Sequence, residues 1–423
     1  MTVAGGDLAR LRDRMVTSVT ASGRPVSDAV TAAMRAVPRH LFLPDLPPPM
    51  AYRNEAIVTR RAADGQPTSS SSQPTIMAYM LDQLGVTAGQ RVLEIGAGTG
   101  YNAALLQHLV GAGGRVVTVD LDADVAREAA AHLAAAGYPE VIVVQADGAA
   151  GWPDGAPYDR IIATVGVSDL APAWLDQLAP GGRIVVPLDL RGSQRSVALE
   201  WDGACWQSRS VVPCGFMRMR GTLAGPERTL VTGDSQELAL TLPGGRDLDV
   251  TAVARALADP AGPAAERATR VAAGPAQLFD GLGLWLALNE PRWGMVSESA
   301  RVPGGLARAP LFAMDRRMTA GVFDTAGFAI LARPSPPSEP GSPEPGPVPA
   351  FELSVLGYGP AGPDLAAGLA AQVQAWDAAG RPGAGHFLIS AYPAGPGTPG
   401  PPGGRPAGAV IERPHTTFVV RAT

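Results

Sequence analysis

Short apolar runs closed by glycine, proline or an acid alternate along the first half of the chain with stretches whose apolar positions recur every three or four residues. Val92, Leu93 and Ile95 form one such run inside RVLEIGAGTG (91–100), and a helical pattern follows from Tyr101. This predicts a buried strand, a tight glycine turn and a helix N-terminus. Arg115–Val119, Val141–Val144, Tyr158–Thr164 and Ile184–Val186 repeat the strand pattern, with helices over Val125–Ala136 and Asp169–Leu178. Ser196–Trp201 and Cys205–Val212 predict a hairpin around Asp202-Gly203. Ahead of the first strand, Leu8–Ala21 and Ser27–Val37 predict helices, the second capped by Ser27 and ended by Pro38. Residues 46–68 are loop-like. The stretch TSSSSQPTIMAYMLDQL predicts a further helix, with Ser72 as its N-cap and Pro74 in the first turn, where a missing N–H costs nothing. Together these elements predict a doubly wound α/β sheet whose ligand sits at the carboxyl ends of the strands.

Beyond Gly221 the pattern changes. Thr229–Leu242, Met295–Met314, Gly321–Leu331, Phe351–Leu356 and Thr416–Arg421 are strand-like, and Val250–Leu257, Pro275–Asn289 and Leu365–Ala379 are helical. Proline-rich insertions occupy 334–349 and 393–408. The expected division is a catalytic domain over 1–221 and a mixed α+β accessory or substrate-recognition domain over 222–423.

The glycine turn narrows the ligand. Gly96, Gly98 and Gly100 let a ligand approach the backbone where a Cβ would collide, and the helix N-terminus presents free N–H groups. Glu94 precedes the glycines, and a carboxylate there repels a pyrophosphate. The spacing E-x-G-x-G-x-G also differs from the G-x-G-x-x-G of dinucleotide binders. S-adenosylmethionine (SAM), with an ammonium, a sulfonium and no phosphate, suits both features. Asp120 ends the second strand, where an acid accepts hydrogen bonds from ribose hydroxyls, while Asp122 and Asp124 suit the cap of the next helix. Asp147-Gly148 follows the third strand, where a carboxylate meets the adenine amino group. His40 is open to two readings, a catalytic base or a structural histidine. Ser72 likewise either caps a helix or holds a substrate carboxylate.

Composition removes other classes. The net charge is −5, all 34 basic residues are arginine, and no basic run marks a nucleic-acid binder. Cys205 and Cys214, without a histidine cluster, make neither a zinc site nor a disulfide framework, so no metal is expected. No signal-peptide pattern opens MTVAGGDLAR and no apolar run is long enough to span a membrane. A cytoplasmic location without membrane association is the expectation.

AMRAVPRHLFLPD, SSQP leading into a helix, VLEIGAGTGYNAALL, ADGAAGWPDGAPYDRII and LDQLAPGGRIVVPL together resemble the protein-L-isoaspartate (D-aspartate) O-methyltransferase family, from Leu8 to roughly Met219. The resemblance implies a class I SAM-dependent methyltransferase, Rossmann-like in fold, that leaves S-adenosylhomocysteine as product. Ser72 matches the family's active-site serine. Glu94, Gly96, Gly98, Asp120, Asp147 and Gly148 match its cofactor contacts, and Ala97, Thr99, Gly100 and Leu121 complete that set. Ser71, Gln73, Pro74 and the segment Thr164, Val165, Gly166, Val167 form the expected substrate side. That segment stands where the family usually has small residues. The second half resembles the carboxyl-terminal extension of actinobacterial fused members associated with lanthipeptides and related ribosomally made, modified peptides. The expectation is carboxyl methylation of an aspartyl or isoaspartyl side chain in a dedicated peptide, the ester collapsing to a succinimide (aspartimide). The alternative is general isoaspartate repair, and a small-molecule or nucleic-acid methyltransferase ranks below both.

Overall fold

The computed structural model describes residues 5–62, 67–232, 238–299, 306, 311–313, 316–333, 350–394 and 408–423. The proline-rich stretches lie outside the described residues, 334–349 entirely and 395–407 of the second. The chain divides into two units. The first comprises Met1–Asp189, Gln194–Gly225 and Leu388–Val420, and the second Leu190–Ser193, Pro226–Phe387 and Arg421–Thr423.

In the first unit the N-terminal elements are α1 (Gly5–Thr20), α2 (Asp28–Ala36), α3 (Pro48–Ala51), β1 (Ile57–Arg61), β2 (Pro67–Ser71) and α4 (Pro74–Leu84). The Rossmann-like part follows as β3 (Arg91–Ile95), α5 (Tyr101–Val110), β4 (Arg115–Asp120), α6 (Ala123–Ala135), β5 (Ile142–Gln145), β6 (Tyr158–Ala163), α7 (Pro172–Asp176) and β7 (Leu178–Leu190). The hairpin strands β8 (Ser193–Trp201) and β9 (Trp206–Pro213) come next. The chain returns near its end as β10 (Phe387–Pro393), β11 (Ala409–Glu412) and β12 (Thr416–Ala422).

These strands form a ten-stranded sheet in the order β11-β12-β10-β9-β8-β7-β6-β3-β4-β5. β3 pairs in parallel with β4 and β6, placing Val92 opposite Val116 and Arg160. Its Val92, Leu93 and Ile95 are buried because both faces of the strand are covered. One face buries Met15, Val30, Met34, Phe42, Met80, Leu81 and Leu105 from α1, α2, α4, α5 and the turn after α2. Ser27 caps α2 as its sequence predicts, accepting a hydrogen bond from the Val30 N–H.

The structure departs from the sequence reading at several places. The described residues of 46–68 are not all loop: they hold α3, β1 and the start of β2, and β1 and β2 pair as an antiparallel hairpin. The N-cap of α4 is Gln73, without a side-chain cap bond, so Ser72 is not the cap. Pro74 fixes the first helical position and the chain enters extended from β2, which leaves Ser72 in the connection. The helix expected over Asp169–Leu178 shrinks to α7. The cut expected after residue 221 gives way to a discontinuous division, because Leu388–Val420 belong with the first unit. β10 covers the open edge of β9, pairing Ser390 with Gln207 and Ala391 with Trp206.

The second unit is an α+β body around an eight-stranded antiparallel sheet. Seven of its strands run in the order Arg228–Val231, Leu238–Leu242, Trp293–Ser299, Arg316–Asp324, Gly327–Ala332, Phe351–Tyr358, Ala265–Ala273. Alternation along Gly327–Ala332 shows how both faces are filled. Ala329 and Leu331 pack beneath the helix Gly362–Ala378, with its Leu369, Val373 and Trp376. Phe328 and Ile330 pack on the other face with Val253 and Leu257 of the helix Val250–Ala258.

Candidate active site

The site is built where β3 stops. Gly96 has φ +101°, and a Cβ there would lie 2.8 Å from Thr164 Oγ1 and 3.0 Å from Val165 Cγ1. Gly100, at φ +87°, starts α5 with Ala129 O 3.1 Å from where its Cβ would be. The turn between them is laced by the Gly100 N–H donating to Ala97 O. Ala97 is buried, and Thr99 O takes a hydrogen bond with His132 Nδ1 at 3.1 Å.

Acidic residues hold this turn in different ways. Glu94 is fully buried, accepting from Asn102 Nδ2 at 2.8 Å and from Thr118 Oγ1 at 2.6 Å. Burial pushes its carboxyl up to about 7, against the downward pull of those two bonds. Its oxygens face Asn102 and Thr118, so Glu94 shapes the turn from behind, and near neutral pH its charge is half present. The phosphate-repelling charge read from the sequence is weakened accordingly. Asp120 accepts from the Gly98 N–H at 3.1 Å and from the Asp122 N–H at 3.1 Å, joining the end of β4 to the turn. Leu121 beside it is 36% exposed. Asp122 caps α6 through the Asp124 and Val125 N–H groups.

Asp147 follows β5. Its carboxylate accepts from the Ala149 N–H and from both the N–H and hydroxyl of Thr222. Burial pushes this carboxyl up, but those three bonds prevail and hold it below the usual range. Gly148 packs on Ile95, and its carbonyl accepts from the buried Trp174 Nε1 at 2.7 Å.

The hairpin supplies the other side. Ser70 O lies 3.4 Å from the position of a Gly98 Cβ, so the end of β2 arrives beside the glycine turn. Ser71 is 3% exposed and its hydroxyl has no hydrogen-bond partner among the described residues. Gln73 donates to Asn54 O, and Asn54 Oδ1 accepts from the Thr75 N–H, fixing the approach to α4. Across the turn, the Thr164 hydroxyl donates to Gly96 O at 2.6 Å. Gly166 exchanges backbone hydrogen bonds with Met217 and Met219, and the Val167 N–H donates to Pro187 O. His40 Nδ1 lies 2.8 Å from the Tyr52 hydroxyl and is engaged there.

Sequence reasoning missed Asn102, Thr118, Thr222 and Trp174, the partners that orient the acids and the turns. Each is an ordinary helix, strand or loop residue whose role arises only from packing. Arg39, inside VPRH, is fully buried over the Tyr101 ring at 5.4 Å.

The protein-L-isoaspartate(D-aspartate) O-methyltransferase (PCMT) family matches residues 10–221. The chain belongs to this family. It is 40% identical over 211 residues to the protein-L-isoaspartate O-methyltransferase of Methanoregula boonei, covering 50% of this chain and 93% of that protein. It is 42% identical over 173 residues to the Thermotoga maritima enzyme of the same name, spanning 41% of this chain and 54% of that protein. A solved protein-L-isoaspartate O-methyltransferase superposes with a TM-score of 0.49 at 22% identity, over 90% of this chain and 96% of that one. Membership fixes the fold class and the enzyme class: a class I methyltransferase that uses SAM as cofactor. A Cβ is excluded at Gly96 because Thr164 and Val165 close on it, whereas at Gly98 a Cβ would meet only Ser70 O, at 3.4 Å, which leaves the turn open to a ligand there. No helix among the described residues is long and apolar enough to cross a membrane.

Proposed function

We propose that the protein methylates the side-chain carboxylate of an aspartyl or isoaspartyl residue in a peptide. The observation that carries this reading is the convergence of β2 and the loop after β6 on the glycine turn. It brings the Ser71-Ser72 end of the hairpin and the Thr164–Val167 segment to one strand end. SAM, when bound, supplies a methyl group on a positively charged sulfur. A carboxylate, with an ordinary pKa near ~4, is ionised at neutral pH and needs no general base. The residues therefore have to align and desolvate one oxygen. In this reading the Ser72 hydroxyl donates to one carboxylate oxygen and leaves the other free to attack. A lysine or arginine would hold the group more tightly and blunt it. Glu94, Gly96, Gly98, Asp120, Leu121, Asp147 and Gly148 line or shape the cofactor side. The neighbouring backbone nitrogen then attacks the ester carbonyl, the acyl C–O bond breaks and methanol leaves with the amide proton, closing a succinimide that hydrolyses to aspartate and isoaspartate.

A dedicated modified peptide of the lanthipeptide type is the substrate we favour, with the second unit as its recognition domain. The support is the extra unit itself, since the family match ends at residue 221. The relatives' names favour general isoaspartate repair as the second reading. Incubation with SAM and a generic isoaspartyl hexapeptide separates the two: rapid turnover rules out the dedicated substrate. Replacing Ser72 with Ala should lower turnover by roughly ten- to a hundredfold while S-adenosylhomocysteine affinity stays unchanged. Wild-type turnover in that variant removes Ser72 from the mechanism.

A further inference from the structure

The loop after β6 ends at Asp169, a 2% exposed carboxylate. One of its oxygens accepts from the Leu170 N–H at 2.9 Å, the other from the N–H of His415 at 2.7 Å, 246 positions further along the chain. His415 sits in the turn between β11 and β12, which is closed by the Arg413 N–H donating to Thr416 O. In that turn the Arg413 guanidinium stands 4.0 Å from the Asp189 carboxylate, both side chains about nine-tenths buried. Asp189 in turn donates its N–H to Val167 O at 2.7 Å. One turn near the C-terminus thus meets two acids, each tied to residues 167–169.

The loop is held at three places. Thr164 fixes its start to the glycine turn and Gly166 fixes its middle to Met217 and Met219. Asp169 and Asp189 fix its end, and this last anchor alone draws on residues beyond the family-matched 10–221. A buried carboxylate left short of a donor is costly, so the His415 N–H constrains Asp169 more firmly than an exposed bond would. We propose that Arg413–His415 is a positioning element that sets the register of the Thr164–Asp169 loop, and through it the affinity for the peptide. Asp169 is its receiving residue. This rests on the reading that Thr164–Val167 meets the peptide.

The test uses the full chain with Asp169→Asn, Arg413→Met and, as a probe of the loop itself, Val165→Phe. Hydrogen exchange of the amides is followed together with KM for an isoaspartyl hexapeptide and binding of S-adenosylhomocysteine. Asp169→Asn should speed exchange in 165–169 and raise peptide KM about fivefold, with kcat and cofactor affinity within about twofold. Arg413→Met should do the same more weakly, and it decides the matter where Asp169→Asn does not fold. Unchanged exchange in 165–169 in both variants overturns the proposal. So does parallel loss of cofactor affinity and peptide affinity, which marks a merely structural role. If Val165→Phe leaves peptide KM unchanged, the reading of the loop as the substrate side fails, and the proposal with it. Where the hexapeptide is not turned over, its dissociation constant from calorimetry replaces KM, and an unchanged value in Asp169→Asn and Arg413→Met overturns the proposal.

Discussion

At the scale of single residues, two buried ionisable groups carry measurable consequences. Glu94 has an ordinary carboxyl pKa of 4.5 that burial raises to about 7. Between those values the folded chain holds a proton that the unfolded chain has lost, so stability falls as pH rises from 4.5 to 7 and then levels. The shift corresponds to about 3 kcal/mol. Glu94→Gln keeps the acceptor toward Asn102 and turns a donor toward Thr118, without a charge to desolvate. Urea unfolding at pH 5, 6, 7 and 8 should show a fall in stability between pH 5 and 7 that is smaller in the variant than in the wild type; equal slopes would place the titration elsewhere. Arg39 is the opposite case, a cation pulled down to about 10 by burial. Its Nε and Nη1 have no partner among the described residues, and Nη2 reaches Glu55 O only at 3.5 Å. The penalty, about 3 kcal/mol at any pH below 10, exceeds the at most ~2 kcal/mol expected from its stacking on Tyr101. Arg39→Met should therefore leave the melting temperature unchanged or raise it. A loss beyond about 2 kcal/mol would show that the guanidinium has better partners than these.

At the scale of elements, the glycine turn is the part held most tightly. Gly100 and Gly137 share nearly the same backbone angle, φ +87° and +89°, but only Gly100 has neighbours where a Cβ would go: Ala129 O at 3.1 Å and Leu133 Cγ at 3.2 Å. Alanine at Gly137 should cost about 1 kcal/mol, the conformational term alone. Alanine at Gly100 should cost roughly 1–2 kcal/mol more and weaken S-adenosylhomocysteine binding, because α5 must move off α6. Equal losses in the two variants would mean that packing at the turn contributes nothing. This turn was legible in the sequence because strand, glycines and helix start lie within ten consecutive positions. The hairpin Ile57–Ser71 was not, since its strands are polar, partly exposed and show no apolar alternation. Ser72 was misplaced as a cap for a related reason. Several serines precede Pro74, and composition does not say which one the extended entry leaves free. The partners of Glu94 lie in α5 and β4 and meet only once the sheet has formed.

At the scale of the whole molecule, contiguity in sequence misleads. The stretch 388–420 lies far beyond the family-matched residues, yet it completes the sheet of the first unit. No local pattern announces this, because an edge strand pairs with whatever edge is open. β9 offers that edge: the Ile389 N–H donates to Ser208 Oγ at 2.9 Å, and Cys205 packs with Tyr392 and Val419 in a small cluster. A chain stopped after Gly225 would expose β9 along its length and leave Asp169 without its His415 donor, inviting edge-to-edge association. We therefore expect residues 1–225 alone to aggregate or to melt well below the full chain. Residues 1–225 joined to 388–420 through a flexible linker should be monodisperse and bind S-adenosylhomocysteine with near wild-type affinity. Calorimetry and size-exclusion chromatography on the two proteins check this. If 1–225 proves as stable as the linked form, the returning strands only decorate an already complete domain, and the anchoring of the substrate loop by Arg413–His415 loses its structural basis.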